Sequence, residues 1–163
     1  MAAETYELDF KAEHNNDVAE QAKDIAAFAN QLGGVILVGV AEKADNFTRR
    51  AMTVTAARQT ARAYEDAARD LLAPHPRVDP VVLHLPDDSG RALVAVNVDP
   101  FPGQLVGARP PNTDAWRFPV RIAARHTKYF DPEQAMTQSI PQARKAAILL
   151  SSIPDAVRTG LLV

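Results

Sequence analysis

The chain has 163 residues, 47% of them hydrophobic, and a formal net charge of -2, which fits one domain with its own core and excludes a disordered chain. It has no cysteine, so disulfides, thiolate zinc sites and cysteine nucleophiles are excluded. No apolar run approaches the roughly 18–20 residues that cross a bilayer, and the acidic N-terminus lacks the apolar stretch of a signal peptide, so a cytoplasmic protein is expected.

Charge is unevenly spread. Residues 1–20 hold six acids against one base, and residues 101–130 hold five bases against one acid. Two readings follow: a metal cluster beside a phosphate track, or two segments that pair with each other.

The stretch ETYELDFK at 4–11 alternates from Tyr6 onward. Tyr6, Leu8 and Phe10 fall on one side and Glu7, Asp9 and Lys11 on the other, which predicts a half-buried strand. Asp17 and Glu20 form a capping-box pattern for a helix. Val18, Ala22, Ile25, Phe28 or Ala29, and Leu32 give that helix a buried stripe, and Gly33–Gly34 stop it. VILVGV at 35–40 predicts a strand covered on both faces. Residues 41–54 read as a polar loop. A second helix is expected from about Thr55 to Ala73, with Ala57, Ala61, Tyr64, Ala68 and Leu71 inward and PHP at 74–76 ending it.

Next, PVVLHL (80–85) and RALVAVNV (91–98) flank PDDSG, which predicts an antiparallel hairpin. Residues 99–115 read as a long surface loop. WRFPVRI (116–122) reads as a short strand placed at an edge by Pro119. DPEQ (131–134) opens a helix, and the apolar AAILL and LLV follow in the tail. The expected architecture is α/β (α+β): one domain over 1–140 with a mixed sheet and helices packed across it, then a C-terminal helical extension over 141–163.

Three patterns bear on chemistry. Glu4, Asp9 and Glu42, with Lys11 beside them, have the side chains to hold Mg²⁺ or Mn²⁺ and to neutralise charge on a phosphate. The competing reading is a solvated strand face, and parity sets Glu4 opposite Asp9. In WRFPVRIAARHTKYF, the cations Arg117, Arg121, Arg125 and Lys128 alternate with Trp116, Phe118, Tyr129 and Phe130, which suits phosphates and bases; the alternative is an arginine-rich wet edge. His14, His75, His84 and His126 lack zinc spacing, and His126 reads as a surface residue. GGVILVGV lacks the G-x-G-x-x-G spacing, and Arg58, Arg62 and Arg69 read as a solvated helix face.

ETYELDFK, then IAAFANQLGGVILVGV, then the late FPVR…T segment resemble the Alba-related, Schlafen-type domain over about residues 4–140. Its usual form is E-(S/T)-x-x-(V/L)-E-F-K, then A-F-A-N-x-x-G-G-x-(I/L)-x-(I/V)-G-V, then R-x-G-x-x-T. Here Asp9 stands where glutamate is usual, Ala41 where an acid is frequent, and the late segment lacks its glycine. The resemblance implies an α/β fold and association with RNA or DNA. In some members it implies a metal-dependent endoribonuclease acting on transfer or ribosomal RNA. Its three acids fall on Glu4, Asp9 and Glu42, with Lys11 closing the first motif. The family's ribonucleases pair two such domains, which for this chain implies a homodimer. Non-catalytic nucleic-acid-binding and protein-interaction domains are the alternatives.

Overall fold

The computed structural model describes residues 7–44, 46–87, 89–109, 112–123 and 126–138; the side chains of Ala123 and Gln138 are outside the description. The expected helical extension over 141–163 lies outside the described residues. The rest is a mixed sheet with two helices on one face, as anticipated, followed by a separate two-stranded ribbon.

The first strand, β1 (Leu8–Lys11), runs parallel to β2 (Gly34–Val38), and helix α1 (Val18–Ala29) crosses between them. Asp17 caps α1: its Oδ1 accepts from the amides of Ala19 and Glu20 at 3.0 and 3.3 Å. The helix ends earlier than periodicity predicts, at Asn30. Gly33, at φ +76°, then turns the chain. A Cβ there would lie 2.5 Å from the Val98 carbonyl oxygen, so glycine is needed both for the backbone angle and for the close approach.

The expected loop at 41–54 is instead structured. β3 (Val40–Lys43) and β4 (Asn46–Arg49) form a hairpin, and β5 (Met52–Thr53) returns to the sheet. The segment is too polar to show a strand period, and its one ring, Phe47, packs on Phe10 of β1 at 5.2 Å between centroids. Helix α2 (Val54–Leu71) is capped by Thr53, whose hydroxyl accepts from the Ala56 amide at 3.2 Å. Arg58, Arg62 and Arg69 lie on its exposed face, as expected. Beyond α2, Leu72–Ala73 are extended as β6, because a residue before proline is pushed out of the helical region.

The predicted hairpin is present as β7 (Val78–His84) against β8 (Arg91–Val98). β8 pairs β2 along Val94–Val98 and β5 at Arg91–Ala92; the spatial order is β1, β2, β8, β7, with β5 extending the β2 position. Ile36, Val38, Val94, Val96 and Val98 face the helices and meet Ile25, Phe28, Ala57 and Tyr64. Small alanines on both helices (Ala22, Ala26, Ala67, Ala68) keep this layer thin. No described helix is long and apolar enough to cross a membrane.

The expected loop after β8 contains β9 (Gly107–Ala108), which pairs β6. β10 (Phe118–Ala123) pairs β11 (His126–Phe130), a strand not anticipated, and helix α3 (Pro132–Gln138) follows. The capping box of α3 closes in both directions: Gln134 N donates to Asp131 Oδ1 at 2.9 Å, and Asp131 N to Gln134 Oε1 at 3.4 Å. Val120, Leu105 and Ala135, with Phe118 and Phe130, make a second small core under this ribbon.

Asn30 fastens the ribbon to the main body. Its buried amide donates to the carbonyls of Val106 and Pro119, both at 2.9 Å, and its Oδ1 accepts from the Val106 amide at 2.7 Å. Asn30→Ala strands three buried backbone groups. At about 1–3 kcal/mol each, partly relieved by water, the expected loss is about 3 kcal/mol in denaturant unfolding. Faster amide exchange at Val106 should accompany it. A loss below about 1 kcal/mol would show that this clasp is not needed.

Candidate functional site

The charged side of β1 faces inward. Alternation sets Asp9 and Lys11 opposite Leu8 and Phe10, and the register pairs Asp9 with Ile36 and Lys11 with Val38, both core residues. Asp9 is therefore buried beneath α1 rather than placed on a wet face. Burying a carboxylate costs several kcal/mol unless cations surround it.

Two cations do so. Lys11 Nζ lies 3.0 Å from Asp9 Oδ2 and 2.9 Å from Asp24 Oδ2 of α1. The contact with Asp9 has ion-pair length but not hydrogen-bond direction, since Oδ2 makes no hydrogen bond among the described residues. Arg121 of β10 lies 3.5 Å from Asp9 Oδ1, and its side chain is 3% exposed. The same guanidinium donates to the Leu8 carbonyl at 3.3 Å and stands 4.8 Å from the centre of the Phe28 ring. Next to it, Gln31 Nε2 donates to the Arg121 carbonyl at 3.0 Å. Among the described residues, two acids and two cations thus meet where β1, α1 and β10 converge.

The cluster sets proton affinities. Burial alone would lower the Lys11 ammonium, but Asp24 and Asp9 outweigh it and hold that group above its ordinary range. Burial pushes the Asp24 carboxyl up, against the opposing pull of Lys11. Lys11 Nζ, 2.9 Å from Asp24 Oδ2, is the cation that offsets this burial. Burial, followed by the charges of Asp24 and Asp9, also raises the Tyr64 hydroxyl despite the opposing pull of Lys11, so it stays neutral.

Glu4 and Arg125 lie outside the described residues. Glu42 pairs across its hairpin with Phe47, whose ring meets Phe10 of β1. Both Glu42 carboxylate oxygens are shielded from solvent. Among the described residues, no three Asp, Glu or His side chains are grouped to hold a metal ion. Arg117, Lys128 and His126 are exposed, whereas Arg121 is buried. Sequence reasoning missed Asp24, Asn30 and Gln31. Asp24 falls within the inward stripe between Gln21 and Phe28, so an acid at helical core spacing was the available signal.

Comparison with known proteins adds three findings. The profile of the family described as Schlafen, AlbA_2 matches residues 4–129. No curated protein matches. The crystal structure of the DIP2311 protein from Corynebacterium diphtheriae is similar at 18% identity and a TM-score of 0.51, over 83% of this chain and 24% of that one, which supports the fold alone. The chain spans about a quarter of that protein's length.

Lys11→Met should destabilise the domain by about 2–4 kcal/mol, less than a fully buried pair because Lys11 keeps 35% of its side chain exposed. The loss should be smaller at pH 5 than at pH 8. Without Lys11 the folded Asp24 pKa rises further above its unfolded value, so stability is gained on protonation and lost as pH rises through the folded pKa. Urea unfolding at the two pH values measures this. An equal loss at both would show that Lys11 does not neutralise Asp24.

Proposed function

This chain belongs to the Schlafen AlbA_2 family, and we propose that it is a nucleic-acid-binding domain gripping RNA or DNA backbone through the β10–β11 ribbon. One observation carries the reading: the ribbon's central cation, Arg121, is locked into the body while Arg117 and Lys128 stay exposed. The buried arginine fixes the ribbon, and the exposed cations meet phosphates. Arg125, between them in sequence, joins this track in the proposal.

Backbone contacts of this kind release counterions, so affinity falls steeply with salt and depends little on sequence. In the reading that includes catalysis, Glu4, Asp9 and Glu42 hold Mg²⁺ or Mn²⁺, which would supply an activated water and charge neutralisation at the phosphate. Of that set, Glu4 lies outside the described residues. Asp9 is paired with Lys11 and Arg121 in the structure. Binding itself is proposed to be metal-independent, because the exposed cations meet the phosphates directly.

Fluorescence anisotropy with a labelled transfer RNA tests this. Arg117→Ala and Lys128→Ala should each weaken binding and lower the slope of log K against log salt by about one. EDTA should leave the affinity unchanged. Absence of binding at low ionic strength would refute the reading. Metal-dependent cleavage abolished by Glu4→Ala, with binding retained, would establish the catalytic form instead.

A further inference from the structure

We infer that Trp116 and Arg109 form a stacking site for an unpaired nucleobase, so that the domain prefers single-stranded or looped nucleic acid to duplex. The inference rests on the nucleic-acid reading above and adds the kind of nucleic acid.

The pair is built by the backbone. Ala108 and Arg117 exchange two hydrogen bonds, N to O at 2.8 Å and 2.9 Å. This antiparallel bridge sets Arg109 directly across from Trp116. The Arg109 guanidinium stands 5.1 Å from the indole centre. The indole also needs Gly107: a Cβ there would lie 3.2 Å from Trp116 Cε3 and 3.3 Å from Phe118 Cε1. The ring thus lies against Gly107 and under the Arg109 guanidinium, yet it remains 41% exposed. A large aromatic held rigid in the open has lost little by ordering and gains by being covered.

A base that takes the guanidinium's place on the indole frees Arg109 to meet that nucleotide's phosphate, which satisfies both needs of single-strand binding. A neighbouring open cleft of about 550 Å³, lined partly by Arg109, Asn112, Thr113 and Asp114, lies in the range that holds small ligands. Asn112 and Thr113 supply amide and hydroxyl groups suited to base edges. Bases within a duplex are already stacked and paired, so this platform offers them nothing.

Trp116 is the chain's one tryptophan, so its fluorescence reports this site alone. The protein is titrated with a single-stranded RNA 12-mer, a duplex of the same length and inorganic polyphosphate. Binding is followed in parallel by anisotropy or competition. Saturable quenching is expected with the single strand and not with duplex or polyphosphate. Trp116→Ala should weaken single-strand binding at least about 5-fold, Trp116→Phe should retain most of it, and duplex affinity should be unchanged by either. Circular dichroism verifies the fold of both variants. Single-strand binding without quenching, or with unchanged affinity in Trp116→Ala, would overturn the stacking site and leave the nucleic-acid reading intact. Binding of neither strand form at low salt would remove both.

Discussion

The fold is organised by one constraint: Asp9 is an anion inside the core and must be neutralised there. A buried carboxylate is tolerated only with cations around it, and here they come from different parts of the chain. Lys11 lies two residues along the same strand, and Arg121 arrives from a ribbon more than a hundred residues later. Asp24 balances the second cation from α1. An apolar set of the same volume would hold these elements together as firmly, but it would not dictate which ribbon residue meets β1. Charge pairing supplies that direction, because a slip of one residue in β10 would turn Arg121 to the opposite face and leave Asp9 undercompensated.

In the proposed reading, the docked ribbon connects this core to nucleic-acid binding. Asn30 and Gln31, just past the end of α1, hold the carbonyls of Pro119 and Arg121. Strand β10 is thereby fixed along its backbone as well as through its central side chain. A rigid ribbon can present exposed cations and rings at set spacing, which reduces the ordering cost of binding a flexible polymer. The inward turn of Arg121 therefore does not subtract from a basic surface. It anchors the segment on which that surface is displayed.

Much of this was readable in the residues. Strong periodicity located α1, α2, and the β7–β8 hairpin, and the DPEQ signature located the start of α3. The A-F-A-N…G-G…G-V block identified the family. Other features were not local properties of the chain. The β3–β4 hairpin is polar, and its placement depends on Phe47 meeting Phe10. Strand alternation in ETYELDFK was correct from Leu8 onward, but it could not say which side faced inward. Polarity favoured burying Leu8 and Phe10, whereas the fold buries Asp9 because Arg121 and Lys11 are there to receive it. The bland reading of the uneven charge, that acidic and basic segments pair with each other, holds at Asp9–Arg121. Arg117 and Lys128, by contrast, stay exposed.

The central claim is that Asp9 and Arg121 stabilise the domain through each other. A double-mutant cycle with Asp9→Asn and Arg121→Met, read by urea unfolding, measures that coupling directly. The account predicts a coupling energy of about 1.5–3 kcal/mol, with the double variant much less destabilised than the sum of the single ones. Additive losses, within about 0.5 kcal/mol, would mean that the ribbon is held by other contacts and that the buried charges are independent.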